Sequence, residues 1–152
     1  MRLIAHRANT DGPNLETENH PDKILECIEQ GYDVEIDVRY EPKSETLWLG
    51  HDEPQYMVSW YWMAGKAQYL WIHCKDLTTL YEFVNNTNGY NYFWHQEDDF
   101  TLTSKNYIWT YPGKPSTPSS VIVMPEWESS DWNKLKDAEC YGICSDYVKK
   151  LE

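Results

Sequence analysis

The sequence has few basic residues and no long apolar run. Lys and Arg number 13 against 25 Asp and Glu, and the formal net charge at pH 7 is −12. A surface of that sign repels nucleic acid and anionic membranes, so we expect neither as a partner. No stretch approaches the roughly 20 apolar residues that a membrane-spanning helix needs, and the apolar run Leu3–Ala5 is too short for a signal peptide. We therefore expect a cytoplasmic protein without a transmembrane segment.

Paired cysteine motifs and room for a second domain are also lacking. The four cysteines do not have the CxxC spacing of a zinc site, so we expect reduced thiols. With 152 residues the chain is long enough for one domain with a sizeable core and too short for two ordinary ones. Residues 1–152 are therefore predicted to form a single domain. The sequence does not indicate an oligomeric state.

The most informative stretch that is present runs from Tyr32 to Val38. Apolar residues occupy positions 34, 36 and 38, and acidic residues occupy positions 33, 35 and 37. This alternation predicts a β-strand, in which Glu35 and Asp37 emerge on the same face. Two adjacent carboxylates repel each other unless a cation or a proton lies between them. The strand therefore predicts a site.

Further strand-like runs predict an α/β fold. A strand at Leu3–His6 is followed by a helix with Asn19 or His20 as its cap, Pro21 in its first turn and Gly31 at its end. Together with the 32–38 strand, these elements form a βαβ unit, which favours parallel pairing. Later strands are predicted at residues 46–49, 69–75, 90–95, 107–110, 121–124 and 141–146.

Two further helices are predicted in the second half of the chain. Asp76 is expected to cap a helix that buries Leu77, Leu80, Tyr81 and Val84. A short helix is predicted at residues 131–136. Repeated strands that end in polar residues are typical of a parallel α/β barrel or an open α/β sheet, where the site lies at the carboxyl ends of the strands.

Polar side chains do follow most of the predicted strands. His6 and Arg7 end the first strand, His51 and Asp52 follow the third, and His73 and Lys75 share a face of the next, with His95, Glu126 and Asp146 at later strand ends. Carboxylates bind hard divalent cations, and fixed positive charge stabilises a phosphoryl transition state. Two imidazoles can divide the proton transfers. The set contains what cleavage of a phosphodiester requires.

Several of these segments together form a more specific pattern than any one of them. They are Ile4-Ala5-His6-Arg7, Glu18-Asn19, Gly31 to Val38, Gly50-His51-Asp52 and Gly142 to Asp146. The pattern resembles glycerophosphodiester phosphodiesterases and the wider phospholipase-C-like phosphodiesterase superfamily. The first third of the chain matches in order and spacing, and the rest matches loosely.

The resemblance implies a fold, an activity and a set of roles. The fold would be a compact, reduced TIM-type (β/α) barrel with several short or missing helices, because a full barrel has about 250 residues. The activity would be hydrolysis of a small soluble phosphodiester, whose alcohol groups the sequence does not identify. His6 and His51 would be the general acid and base, and Arg7 would contact the phosphate together with Lys75. Glu35 and Asp37 would bind a divalent metal, Mg²⁺, Ca²⁺ or Mn²⁺. Further candidate site residues are Glu18, Asp52, His95, Trp109, Glu126 and Asp146.

One position departs from the family pattern. A third metal carboxylate is usual two residues before the lysine, but here His73 precedes Lys75. An imidazole as third ligand shifts the preference towards Mn²⁺ or another borderline metal. Alternatively, Glu126 supplies the missing charge, or the site is degenerate.

Two other interpretations remain open at this stage. The first is a reduced barrel that binds an anion or a sugar without catalysis, favoured by His73 and by Trp60, Trp62, Trp71, Trp94 and Trp109. The second is a structural subunit whose exposed aromatic residues form an interface.

Overall fold

The computed structural model describes residues 1–86 and 89–152, and a ten-stranded mixed sheet is its main element. The strands are β1 (Arg2–His6), β2 (Asp33–Glu41), β3 (Thr46–Leu49), β4 (Tyr56–Val58), β5 (Leu70–Cys74), β6 (Asn91–Phe93), β7 (Phe100–Leu102), β8 (Ile108–Thr110), β9 (Ser120–Val123) and β10 (Gly142–Ser145). The α-helices are α1 (Pro21–Glu29), α2 (Trp60–Ala64), α3 (Leu77–Asn85) and α4 (Trp132–Lys136). Three 3₁₀ helices span Ala67–Tyr69, Pro125–Trp127 and Val148–Leu151.

Seven strands run parallel in the spatial order β6-β5-β2-β1-β10-β9-β8. β2 is central because its first half pairs with both β1 and β5, while its second half pairs with β3. The β3–β4 hairpin and β7 add antiparallel strands at the two sides. The carboxyl ends of the parallel strands meet at one edge, which is where the candidate site residues converge.

The expected TIM-type (β/α) barrel is wrong. The sheet is mixed and curls into a half-barrel. In the described chain there are four α-helices, and none exceeds nine residues. Within the same residues β6 pairs with β5 alone, so the parallel strands do not close into a ring. The physical reason lies in the connections, since those around β8, β9 and β10 are mostly loops and short turns that provide no outer helical layer.

Aromatic side chains fill the concave face of the curled sheet. Trp71, Phe93 and Trp109 are buried there, with the rings of Phe93 and Trp109 4.5 Å apart between centroids and those of Trp71 and Trp109 6.0 Å apart. These rings bridge β6 and β8 on this face, and Ser104, which follows β7, donates its amide to the Tyr92 carbonyl of β6. Much of the high aromatic content is therefore explained by packing rather than by ligand binding.

The convex face carries a second apolar core beneath α1 and α3. Val34, Ile36 and Val38 of β2 contribute to it, as the alternation in the sequence predicted. α1 begins and ends near the predicted residues, with His20 as its N-cap, since the His20 side chain accepts a hydrogen bond from the Asp22 amide. No helix in the described part of the chain has the length and apolarity required to span a lipid bilayer.

Most predicted strands are confirmed, whereas the buried face of α3 was predicted correctly only at Leu80, which packs against the convex-face core. Asp76 does cap α3 through the Thr79 amide. The buried residues are Thr79 and Phe83, while Leu77 and Tyr81 are 78% and 67% exposed, and Val84 is also exposed. The Thr79 hydroxyl accepts a hydrogen bond from the backbone amide of Tyr40 in β2. This bond explains why a polar residue of α3 faces the sheet. Neither β4 nor β7 was predicted.

We expect Phe83→Ala to destabilise the protein by about 3–5 kcal/mol, because Phe83 is fully buried against Trp60 and Tyr90. Tyr81→Ala, on the exposed face of the same helix, should change stability by no more than about 0.5 kcal/mol. Urea unfolding of both variants measures the difference. Equal losses would contradict this assignment of the two faces.

Candidate active site

β2 places two buried carboxylates side by side on the concave face. Glu35 is 1% exposed and Asp37 is 0% exposed. They share this face with Asp33, which lies at the amino end of β2 and accepts a hydrogen bond from the Trp71 indole. The alternation in the sequence therefore predicted both the strand and the direction of its acidic side chains correctly.

His73 of β5 faces both carboxylates. It is the register partner of Asp37, and its Nδ1 lies 3.5 Å from Glu35 Oε1 and 3.5 Å from Asp37 Oδ1. Ligand atoms of Glu35, Asp37 and His73 all lie within 4.8 Å of one another. The three residues predicted as metal ligands are thus brought together.

The backbone carbonyl of His95 determines which nitrogen of His73 is free to bind. It lies 2.8 Å from His73 Nε2 and can only accept a hydrogen bond, so Nε2 carries the proton. In the neutral ring the lone pair of Nδ1 then points at two carboxylates, which is unfavourable without a positive charge between them. Hydrogen bonding of one ring nitrogen to a carbonyl is typical of histidines that bind a metal through the other.

Asp37 is surrounded by positive and amide groups, yet one of its oxygens is incompletely satisfied. Arg7 Nε lies 3.3 Å from Oδ2, and Lys75 Nζ lies 3.4 Å from Oδ1. Asn19 donates to Oδ2 and accepts from the Asp37 amide, both at 3.0 Å. Burial opposes ionisation, but the charges of Lys75 and Arg7, together with the hydrogen bond from Asn19, outweigh it and lower the pKa of Asp37. Oδ1 is buried and has no hydrogen-bond partner, so the ionised carboxylate has an oxygen available to a cation.

Arg7 is held in a strained backbone conformation directly after β1. Its φ is 52° and that of Ala8 is 66°. Both values lie in the left-handed region, which residues other than glycine rarely adopt. The Arg7 amide donates to the backbone oxygen of Glu35 and to its Oε2, and the Arg7 carbonyl accepts from the Asn19 amide. These bonds offset the strain and direct the guanidinium towards Asp37 and Glu18, whose Oε2 lies 3.4 Å from Nη1.

His6 lies between two acidic residues at the end of β1. Its Nδ1 is 2.8 Å from Asp146 Oδ1, and its Nε2 is 3.9 Å from Glu35 Oε2. Burial lowers the pKa of His6, but the hydrogen bond to Asp146 and the charge of Glu35 outweigh it, so the pKa is raised overall. Asp146 also accepts from Asn9 Nδ2 at 2.8 Å. His6 is therefore fixed in orientation and disposed to carry a proton.

Glu126 does not join the group of ligating side chains. Its two carboxylate oxygens accept from the Ser145 hydroxyl and the Asp146 amide, each at 2.9 Å. These bonds connect the 3₁₀ helix Pro125–Trp127 to the end of β10. The structure thus assigns Glu126 a positioning role and gives no support to the alternative that it replaces a missing metal carboxylate.

His51 lies outside this buried group. Its Nδ1 is 2.7 Å from Asp52 Oδ1, and the Asp52 side chain is 93% exposed. Within residues 1–86 and 89–152, no hydrogen bond or ion pair links His51 to His6. His51 instead lines a cleft of about 230 Å³ together with Arg7, Glu18 and Asn19. The two predicted acid–base residues therefore flank Arg7 from different clefts.

A second cleft, of about 150 Å³, which we call the main cleft, opens directly onto the buried group. His6, Arg7, Glu35 and His73 line one side of it. Trp109 and His95, both candidates from the sequence, also line it, although Trp109 is largely packed against Phe93. Lys75 lines a third cleft beside Trp94 and His73.

Sequence reasoning missed the roles of two asparagines. Asn9 bridges Glu18 and Asp146, and Asn19 bonds twice to Asp37. Asn19 or His20 was predicted as the helix cap; His20 is the cap, and Asn19 has a left-handed backbone with φ 58°. Its position next to Glu18 was the only signal available, and it did not reveal the partner.

A scan against protein-family models, a search of curated proteins and a search of solved structures each found no match to this chain. The resemblance of the short motifs to phosphodiesterases therefore rests on the residues themselves. The geometry of the site carries the functional argument.

We expect Asp146→Asn to lower the pKa of His6 in chelator-treated protein, because it removes the carboxylate that favours the charged ring. NMR titration of the imidazole Cε1–H measures this directly. The raised pKa means that His6 contributes to stability fully below its ordinary pKa of 6.5, and this contribution is lost as pH rises through the folded value. An unchanged or higher pKa would show that Asp146 does not control the charge on His6.

Proposed function

We propose that the protein is a metal-dependent phosphodiesterase that acts on a small phosphodiester and is similar to glycerophosphodiester phosphodiesterases. One observation carries the proposal. Two almost fully buried carboxylates, one with an unsatisfied oxygen, lie next to Nδ1 of His73, and Glu35 and His73 line a cleft together with His6 and Arg7. Such a group of side chains is suited to bind a divalent cation and, beside it, an anionic substrate.

Glu35, Asp37 and His73 would bind the metal. Two carboxylate oxygens and one imidazole nitrogen are a donor set suited to Mn²⁺ or another borderline cation. When bound, a divalent cation would neutralise charge on the phosphate oxygens. Arg7 and Lys75 already contact Asp37, so a metal at this carboxylate would free part of their charge for the phosphate.

The chain's own residues supply orientation and proton transfer. His6 presents Nε2 to the main cleft because Nδ1 is engaged by Asp146. Its raised pKa suits a general acid that protonates the leaving alkoxide oxygen. His51, on the other side of Arg7, would deprotonate the attacking hydroxyl, and Asp52 would stabilise the resulting imidazolium. Glu18 and Asn9 restrict Arg7 and Asp146 to these positions.

The exposure of His51 favours a second candidate, an anion-binding module without catalysis. Its ring is outside the buried group, and a site with one fixed imidazole can bind a phosphodiester without cleaving it. Ligand binding that survives chelation, without turnover of any phosphodiester, would support this candidate over hydrolysis.

A cytoplasmic location remains part of the proposal. Cys27, Cys74 and Cys144 are buried free thiols, and burial raises the pKa of each. Such thiols are typical of proteins that fold in a reducing compartment.

We expect His6→Ala to lower the hydrolysis of an alkyl glycerophosphodiester by about 10²–10⁴-fold, because its alkoxide leaving group requires the proton that the general acid supplies. Chelation by EDTA should abolish turnover in the wild type. His20→Asn is the matched control, since Asn preserves the helix cap outside the main cleft. Near wild-type rates in folded His6→Ala protein would contradict the assigned role.

We expect His73→Glu to shift metal preference from Mn²⁺ towards Ca²⁺ and Mg²⁺ by about tenfold in the affinity ratio, since it replaces nitrogen with a third carboxylate. Calorimetric titration of the metal-free protein measures each affinity without reference to activity. His95→Ala keeps the backbone carbonyl that binds His73 and should retain the wild-type order. An unaltered order in His73→Glu would exclude His73 as a ligand.

A further inference from the structure

The main cleft has two chemically different sides. His6, Arg7, Glu35 and His73 form the polar side. The opposite side consists largely of apolar side chains, among which Trp109, Val123 and Met124 are buried. The charged groups of the site are thus confined to one side of the space that a substrate would occupy.

Trp127 extends the apolar side to the rim of the cleft. It lines the cleft and is nevertheless 63% exposed, which is an unfavourable position for so large an apolar ring unless something packs on it. Tyr111 and Pro112 also line the cleft. Together with Trp109, Val123 and Met124, these residues form what we call the apolar wall.

The segment that carries Trp127 is fixed relative to the polar side. Glu126, the preceding residue, accepts hydrogen bonds from Ser145 and Asp146. Asp146 in turn orients His6. Met124, which precedes the 3₁₀ helix as its N-cap, adopts a left-handed φ of 46° and donates its amide to the Cys144 carbonyl. The position of the Trp127 segment is therefore coupled to that of His6 through a short chain of hydrogen bonds.

The size and charge of the cleft define what fits beside the wall. Among its lining residues the only carboxylate is Glu35, which is buried on the polar side, so the wall offers no anion for a cationic substituent such as an amine. The volume is about 150 Å³. An apolar cavity of this volume holds no more than one benzene ring. With the phosphate at the polar side, a ring would therefore extend to the open rim at Trp127.

We propose that one ester group of the substrate is an uncharged apolar group of about the size of a single ring, which stacks on Trp127 and packs against Trp109. This inference rests on the proposed function, because it takes the phosphate to lie at the polar side. The apolar wall then selects the alcohol component, while the polar side recognises the phosphodiester.

The inference is tested by comparing the affinities of two phosphodiesters with different ester groups. Diphenyl phosphate and dimethyl phosphate carry the same charge and differ in their ester groups. By calorimetry with Mn²⁺-loaded protein, we expect diphenyl phosphate to bind about tenfold more tightly, the difference expected for one buried and stacked ring. Trp127→Ala should remove most of this preference by weakening the binding of diphenyl phosphate.

Tyr61→Ala is the matched control, since Tyr61 is a 90% exposed aromatic residue that does not line the main cleft. It should retain the full preference. Equal affinity of the wild type for the two diesters, or an undiminished preference in Trp127→Ala, would overturn the inference. A Trp127-dependent preference without hydrolysis of any phosphodiester would support the apolar wall as a binding site and overturn the proposed catalytic function instead.

Discussion

Glu35 and Asp37 are buried side by side on one face of β2, and the charge of both has to be balanced inside the protein. Burial of an isolated carboxylate is costly unless it is paired or hydrogen-bonded. Arg7 and Lys75 approach Asp37, Asn19 bonds to it twice, and His73 faces both acids. Three different segments of the chain are thus organised around two side chains of a single strand.

The curled sheet makes this convergence possible. Parallel pairing brings the end of β1, with His6, next to Glu35, and the pairing of β2 with β5 places His73 next to Asp37. β10 supplies the segment that leads to Asp146 on the other side of β1. A closed barrel is not required, because these four strands are contiguous. The strained turn at Arg7 and Ala8 then lets the backbone amide reach Glu35 while the guanidinium reaches Asp37.

The local parts of this arrangement could be predicted from the sequence, whereas the long-range parts could not. The alternation around Glu35 revealed the strand and the shared face of its acids, and polar residues after other strands indicated the edge where the site lies. The open sheet was not predictable, because closure depends on the side-chain packing of Phe93 and Trp109 across β6 and β8. The burial of α3 through Thr79 depends on a hydrogen bond to Tyr40, and the role of Asn9 depends on Asp146, 137 residues away.

The central claim is that a divalent cation completes the balance of charge among Glu35, Asp37 and His73. A crystal structure of the Mn²⁺-soaked protein, with anomalous scattering data collected at the manganese edge, tests it most directly. The account predicts one strong anomalous peak in contact with a carboxylate oxygen of Glu35, a carboxylate oxygen of Asp37 and Nδ1 of His73. Absence of that peak, with a protonated His73 donating directly to the two carboxylates, would contradict the account.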